Sequence, residues 1–231
     1  MDPDALKYIF FGLYWVVFVY SIVLHELAHG YSSFRLGDPT ALKAGRLTLN
    51  PVRHIDPFMS VLLPVVLAVS SQGTFVFGGA KPVPINPFLY RNMRSGMLTS
   101  AACGPLTNLV LAVVFALLMK LSLLMNAGDG SLNAKLFSAC MILNLMLALF
   151  NMLPIPPLDG SHMLSAVLPR DLREAYERMR TFGLIILILL LVLPFSSSVI
   201  GWAMKGGARL FLWALNIRGG LPAYSSLDIL R

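Results

Sequence analysis

Long stretches without a charged side chain constrain this chain more than any other feature of its sequence. Five of them are rich in apolar residues: Tyr8–Leu24, Pro57–Ala80, Met97–Met119, Leu136–Leu158 and Thr181–Met204. A helix that crosses a bilayer needs about 20 predominantly apolar residues. The last three stretches satisfy this length, and the first satisfies it if its helix continues towards Ser33. The sequence therefore predicts an all-α polytopic membrane protein, a bundle of about four to six transmembrane helices.

Composition excludes the main alternatives. Only 13% of the residues are charged and 57% are hydrophobic, whereas soluble domains carry about 25% charged residues. So few charged residues cannot cover the surface of a soluble protein. Intrinsic disorder is excluded as well, because disordered chains have few hydrophobic and many charged residues. The formal net charge is +7, but the basic residues lie in short clusters between apolar runs, which excludes a soluble nucleic-acid binder. Cys103 and Cys140 lie inside apolar runs, so neither a disulfide framework nor a thiolate metal site is predicted.

The basic clusters also orient the predicted helices. They follow the first stretch and precede the third and the last, whereas 126–133 contains no basic residue. The positive-inside rule then places residues 35–56 and 168–180 inside the cell and 126–133 outside. For this orientation to hold, Pro57–Tyr90 must enter and leave on the cytoplasmic side. We therefore predict a re-entrant hairpin here, a short helix followed by a short β-like run at Thr74–Phe77; a complete extra span is the alternative.

The chain is predicted to form one integral membrane domain over residues 1–231. No internal repeat or low-complexity linker divides it. Its catalytic core is expected at residues 8–168, with a C-terminal span and tail at 169–231. No cleavable signal peptide is predicted, because the first apolar run follows acidic rather than basic residues.

The sequence His25-Glu26-Leu27-Ala28-His29, at the end of the first stretch, is an H-E-x-x-H motif. Residues i and i+4 share a helix face, so His25 and His29 can bind one metal ion. Two imidazole nitrogens with an open position suit Zn²⁺, and Glu26 can act as the general base on a water molecule there. The alternative is a polar cluster at the membrane interface. Charged residues inside a membrane helix cost about 2.5–3.5 kcal/mol each, which favours a functional role.

Asp159 is the strongest candidate for the third protein ligand that a catalytic zinc site needs. It follows the proline-rich segment Pro154–Pro157, which breaks the preceding helix. On the predicted orientation, the first and fourth stretches both end at the cytoplasmic face, so Asp159 meets the H-E-x-x-H motif at one depth. The alternative is that Asp159 only starts a loop or helix. Of the remaining histidines, His162 could support Asp159, and neither His162 nor His54 is predicted as a ligand.

With both motifs identified, the sequence resembles the site-2 protease family of intramembrane zinc metalloproteases, in its compact prokaryotic branch without a PDZ domain. The resemblance covers about Tyr20 to Leu168. His25, Glu26 and His29 match the family's zinc motif, and Asn151 with Leu158-Asp159-Gly160 matches its second motif, N-x-x-P…L-D-G. Further matches lie at 50–51, 54–57, 78–86 and 104–108. One departure is Phe77-Gly78-Gly79-Ala80-Lys81, where the family pattern has an aromatic residue near Gly79.

The resemblance implies a role for each matched residue. His25, His29 and Asp159 would bind one Zn²⁺ per chain, and Glu26 would be the general base. Asn151 would donate a hydrogen bond to the substrate carbonyl or its oxyanion, an interaction that is strong in a dry site. The alternative for Asn151 is an interhelical hydrogen bond, worth about 0.6 kcal/mol. Asn108 could play either part, and a structural role is favoured for it.

The expected function is hydrolysis of peptide bonds within or next to transmembrane segments of membrane proteins, that is, regulated intramembrane proteolysis. The expected partners are transmembrane substrates and the lipid bilayer, with no nucleic acid, and the site is expected near the cytoplasmic face of a prokaryotic cell membrane. The oligomeric state is not predicted. We also hypothesise that Thr74–Pro84 pairs as an edge strand with an unwound substrate, which proline at Val76 or Val83 would test.

Two other functions remain open. The first is a membrane ion or zinc transporter, because intramembrane ionisable residues mark ion pathways. Against it, a transporter has no need of Glu26 between two histidines, and transporters usually show repeated halves that this sequence lacks. The second is a catalytically inactive scaffold of the same fold. Against that, every residue of both motifs is present.

Overall fold

The computed structural model describes residues 3–70, 78–125 and 131–192, together with 206, 207, 209 and 211–213 towards the C-terminal end. Eight α-helices occur in these ranges: α1 Pro3–Leu36, α2 Thr40–Lys43, α3 Leu63–Ser70, α4 Met93–Leu124, α5 Leu132–Asn151, α6 Asp159–Val167, α7 Arg170–Met179 and α8 Gly183–Val192. A π-helix at Pro57–Leu62 runs directly into α3, and short 3₁₀ turns lie at Pro51–His54, Pro87–Leu89 and Arg180–Phe182. The described residues contain no β-strand.

Three of the described helices, α1, α4 and α5, are long and apolar enough to cross a membrane. The prediction of an all-α polytopic membrane protein is thus confirmed. The fourth predicted span, Thr181–Met204, begins as α8, and its part beyond Val192 lies outside the described residues. At 34 residues, α1 is about 50 Å long, so it extends well past a hydrocarbon core of about 30 Å.

Polar residues define where the helices begin and end. The Asn92 side chain accepts a hydrogen bond from the Ser95 amide at the start of α4, and the Ser131 hydroxyl accepts one from Ala134 at the start of α5. After α1, Gly37 adopts a φ of +114°, which only glycine reaches without strain. These caps leave the apolar sequence between them to form uninterrupted helices.

The α4 helix is at the centre of the bundle. It packs against α1, α5 and α6. Its contact with α5 is built on small side chains, because Ala112 and Ala116 are fully buried beside Met119 and Met141. Small residues let helix backbones approach closely, which is the main way that membrane helices associate. This packing brings His25 of α1 and Asn144 of α5 to the level of Asn108 on α4.

The segment from Pro57 to Gly79 begins and ends at the same place. Its helical part ends at Ser70 and, at 14 residues, is about 21 Å long, too short to span a bilayer. The Gly79 amide donates to the Met59 carbonyl (2.9 Å), and the Ser60 hydroxyl donates to the Gly79 carbonyl (2.7 Å). These bonds agree with a re-entrant hairpin and disagree with a complete span, whose ends would lie about 30 Å apart. The β-like run Thr74–Phe77 lies outside the described residues.

Candidate metal centre

His25, His29 and Asp159 converge on one point between α1 and the start of α6. The His25 Nε2 atom lies 3.0 Å from Asp159 Oδ2, His29 Nε2 lies 3.2 Å from Asp159 Oδ1, and the two Nε2 atoms are 3.1 Å apart. In a tetrahedral zinc site with bonds of about 2.0–2.1 Å, neighbouring ligand atoms are about 3.3 Å apart. The structure thus brings the three predicted ligands together with nearly the spacing of one face of such a tetrahedron.

Hydrogen bonds behind the two histidines set which ring nitrogens face this point. His25 Nδ1 donates to Asn108 Oδ1 (2.5 Å), and His29 Nδ1 donates to the Ser100 carbonyl (2.7 Å). Because both Nδ1 atoms carry the proton, both Nε2 atoms present a lone pair to the carboxylate. Asp159 Oδ2 is buried and has no hydrogen-bond partner among the described residues. Two lone pairs and a carboxylate facing one another fit a bound cation, and two nitrogens with one oxygen suit Zn²⁺.

Each ligand reaches the site through a local feature of the sequence. The two histidines are one helical turn apart on α1, as the H-E-x-x-H spacing predicts, and each is only 7% exposed. Asp159 is the first residue of α6. The prolines at 154, 156 and 157 cannot continue α5, so the chain turns there and α6 packs back against α4.

The backbone of α4 forms one wall of the site at Gly104. A Cβ atom at this position would lie 2.3 Å from His29 Nε2 and 2.7 Å from His25 Cε1. Both distances are far below a van der Waals contact, so only glycine fits beside the imidazoles. The close approach of α4 to α1 and the geometry of the metal centre therefore depend on the same residue.

Two fully buried asparagines form a hydrogen-bonded chain behind His25. Asn144 Nδ2 donates to the Cys140 carbonyl (3.0 Å), which turns Asn144 Oδ1 towards Asn108 Nδ2 (3.1 Å). Asn108 Oδ1 is then left to accept from His25. Asn108 thus contacts a predicted ligand, a role that sequence analysis did not assign to it. Sequence analysis missed Asn144 altogether, although an asparagine inside an apolar helix is itself a signal.

Replacing Asn108 with leucine should release zinc faster, because nothing would then hold the His25 tautomer. Loss of such a supporting hydrogen bond typically costs about 10–100-fold in metal affinity. Asn108→Asp keeps an acceptor for His25 Nδ1 and should retain zinc far better than the leucine variant. The measurement is the rate of zinc transfer to a chelator from each purified protein. Equal rates for Asn108→Leu and the wild type would contradict this role.

Glu26 lies beside the metal centre and is held by the backbone of a distant segment. Its Oε2 atom accepts a hydrogen bond from the Val83 amide (2.9 Å). This contact bears on the edge-strand hypothesis for Thr74–Pro84. Proline at Val83 would remove the Glu26 contact as well as any pairing with substrate, and Val76 lies outside the described residues, so the hypothesis stays a prediction.

The Asn151 side chain is hydrogen-bonded to its own helix in this structure. Its Nδ2 donates to the Leu147 carbonyl (2.9 Å) within α5, which is the geometry of a side chain bonded back to its own helix. Asn151 is nevertheless the last residue of α5, immediately before the loop that leads to Asp159. One of its two N–H groups is used in the bond to Leu147, and its role as a donor to the substrate stays a prediction.

The two remaining histidines lie outside the three-residue cluster. His54 is buried, and its Nε2 donates to the Thr48 carbonyl (2.9 Å). His162 lies on α6, where Arg180 Nη2 is 2.6 Å from its Nδ1. Burial, followed by the charge of Arg180, lowers the pKa of His162 from 6.5 to about 4. Neither histidine was predicted as a ligand, and the cluster forms without them.

Comparison with known proteins identifies the family of this chain. The sequence model of peptidase family M50 matches residues 125–194, the part that carries Asp159. The "Putative zinc metalloprotease YwhC" of Bacillus subtilis is 37% identical over 199 residues, 84% of this chain and 86% of the relative. The Rip2 protein of Mycolicibacterium smegmatis, which has the same descriptive name, is 32% identical over 75% of this chain and 64% of its own length.

A third relative is archaeal. The protein MJ0611 of Methanocaldococcus jannaschii, again described as a putative zinc metalloprotease, is 30% identical over 62% of this chain and 63% of its own length. No solved structure matches the chain significantly. The long match to YwhC covers most of both proteins, and the family match covers the Asp159 region. The chain therefore belongs to peptidase family M50, the site-2 protease family of membrane metalloproteases.

Proposed function

We propose that this protein is an intramembrane zinc metalloprotease that hydrolyses peptide bonds within or next to transmembrane segments of membrane proteins. One observation supports the proposal: the free nitrogens of His25 and His29 and the carboxylate of Asp159 meet at one point, although Asp159 is more than a hundred residues from either histidine in sequence. One Zn²⁺ per chain would be held there by these three residues.

The depth of the site supports a substrate inside the membrane. His29 is two helical turns before the end of α1, which puts it about 10 Å from that end of a helix long enough to span. Arg35 and the basic residues Lys43, Arg46 and Arg53 follow. By the positive-inside rule, this end faces the cytoplasm. We accordingly place the site near the cytoplasmic face of a prokaryotic cell membrane.

The residues around the centre divide the chemistry between them. Zinc, when bound, supplies a Lewis acid that polarises the scissile carbonyl and lowers the pKa of water. Glu26 takes the proton of the attacking water and delivers it to the leaving amine. Its Oε2 is fixed by Val83, so Oε1 is the oxygen that can accept that proton. Asn151 donates an N–H to the substrate oxygen as negative charge develops there.

The partners of this function are transmembrane protein substrates and the lipid bilayer, and no nucleic acid. Most of the outward surface of α1 and α4 supports contact with lipid or with a substrate helix. Large apolar side chains such as Trp15, Val16, Val110 and Leu117 are each about half exposed or more. A transmembrane substrate can therefore reach the protein by diffusion within the bilayer.

The first test is the zinc content of the detergent-purified protein, with the wild type beside Asp159→Ala. We expect about one zinc per chain in the wild type and a large loss in the variant, since three protein ligands are the usual minimum at a catalytic zinc site. Asp171→Ala is the matched control, because Asp171 is an exposed acid at the start of α7. It should keep its zinc, and a single-span substrate should be cleaved by the wild type and the control only.

Two results would contradict the proposed metal site. A folded wild-type protein without stoichiometric zinc would mean that the three residues do not form a metal site. Zinc retained by Asp159→Ala would remove Asp159 from the ligand set and leave the third ligand to be sought at His54 or His162.

A further inference from the structure

An extended segment, residues 78–86, which we call the strap, follows the re-entrant helix and ends beside α1. Three of its backbone amides donate to neighbouring parts of the chain: Gly79 to the Met59 carbonyl (2.9 Å), Lys81 to the His54 carbonyl (2.8 Å) and Asn86 to the Asp38 carboxylate (2.6 Å). Asp38 is fully buried two residues after the end of α1. The strap is thus anchored at both of its ends.

A buried cation also holds the strap. Arg46 is only 7% exposed, and its Nη2 donates to the Lys81 carbonyl (2.6 Å). This bond ties the strap at Lys81 to the turn that follows α2, where Arg46 lies. The next anchored residue after Lys81 is Val83.

Val83 brings the strap to Glu26. Its amide donates to Glu26 Oε2 (2.9 Å), and its side chain is 6% exposed against α1. A Cβ at Gly30, one turn beyond Glu26, would lie 3.0 Å from Val83 Cγ1. Pro82 and Pro84 keep the backbone around Val83 extended and carry no amide hydrogen. The Val83 amide is therefore the single N–H of residues 82–84, and it is directed at the carboxylate.

We propose that Val83 is a positioning residue for the general base. Its amide fixes one oxygen of Glu26 and thereby orients the other towards the water that Glu26 deprotonates. This inference rests on the proposed function, in which Glu26 is the base. It also means that the orientation of Glu26 depends on the strap. A displacement of residues 81–83 would therefore change the position of the general base while the zinc ligands stay in place.

Amide hydrogen exchange tests the contact without any need for cleavage. Lys81 and Ile85 are the nearest other residues with an amide hydrogen, so exchange at Val83 can be resolved from its neighbours. Glu26→Ala removes the acceptor, and we expect Val83 to exchange at least about tenfold faster while Gly79 and Lys81 stay protected. Glu26→Gln retains an acceptor oxygen and should protect Val83 better than alanine does. Unchanged exchange at Val83 in Glu26→Ala would overturn the proposal.

A pair of substitutions at Val83 tests the consequence for turnover. Val83→Ala keeps the N–H and loses two of the three side-chain carbons, whereas Val83→Pro keeps three side-chain carbons, closed into a ring on the backbone nitrogen, and loses the N–H. Proline suits the site otherwise, because the flanking prolines already impose an extended backbone. We expect Val83→Pro to have a kcat about tenfold or more below that of Val83→Ala, with a similar KM and unchanged zinc content. Equal kcat values in the two variants would contradict a positioning role.

The two experiments separate the inference from the function on which it rests. If the protein cleaves no substrate, hydrogen exchange still shows whether the strap holds Glu26. If the protein cleaves but Val83 exchanges equally in the wild type and in Glu26→Ala, the protease assignment stands and the strap is not coupled to the base. Loss of zinc in Val83→Pro would likewise contradict the proposal, because the strap would then support the ligands and not the base.

Discussion

Glu26→Gln is expected to lower the rate of substrate cleavage by about 10²–10⁴-fold and to leave the zinc content unchanged. Glutamine has the shape of glutamate and keeps an oxygen for the Val83 amide, so the strap contact survives. Its amide cannot take up a proton near neutral pH, so the water loses its base. The measurement is cleavage of a single-span substrate in proteoliposomes, with zinc determined on the same preparations.

Glu174→Gln is the matched control for this variant, because Glu174 is an exposed glutamate on α7. It should cleave at the wild-type rate. Wild-type cleavage by Glu26→Gln would remove Glu26 from the role of base. A wild-type protein that binds zinc and carries it across a vesicle membrane, but cleaves nothing, would favour the transporter alternative over the protease.

Gly104→Ala is expected to abolish zinc binding in a protein that still folds. The new methyl group would lie 2.3 Å from His29 Nε2 and 2.7 Å from His25 Cε1. α4 cannot move away easily, since it is packed against α1, α5 and α6 at once. The imidazoles must therefore turn, and their nitrogens leave the point they share with Asp159. We expect zinc per chain to fall below about a tenth of the wild-type value and cleavage to fall with it.

Gly12→Ala is the control for Gly104→Ala, because it also replaces a glycine inside a long helix by alanine. Gly12 also lies in a membrane-length helix, but nothing comes within 4 Å of a Cβ placed there. The Gly12→Ala protein should keep its zinc. It should unfold at the same temperature as the wild type or slightly above it, since alanine is more favourable than glycine in a helix by up to about 1 kcal/mol. Full zinc occupancy in Gly104→Ala would mean that the contact with the two imidazoles is looser than the structure gives.

The residues that the sequence could identify are those whose positions follow from local rules. His25 and His29 could be paired because the first apolar stretch is helical. In a helix, the i, i+4 spacing places both side chains on the same face. Asp159 could be predicted for two reasons. Prolines must end the preceding helix, and the distribution of basic residues places that end of the helix on the cytoplasmic side. The re-entrant hairpin came from the same charge pattern, and the contact between Met59 and Gly79 agrees with it.

The contacts that the sequence could not give depend on how the helices are rotated and packed. Asn108 is 83 residues from His25, and Val83 is 57 residues from Glu26. No periodicity relates such positions, and a shift of one residue along α4 would turn Asn108 away from the site. Asn151 shows a different limit, since its place in the motif fixes where the backbone lies but not which rotamer the side chain adopts.

The two prolines of the strap have a consequence for the protease itself. An extended segment beside a proteolytic centre would ordinarily offer an edge along which the same segment of another copy could pair, as exposed strand edges do. Pro82 and Pro84 have no N–H to give, and Val83 has already given its own to Glu26. Two copies meeting along residues 82–84 would face each other with carbonyl oxygens only. Residues 82–84 of two copies lying side by side in the membrane therefore cannot join as two strands of one sheet.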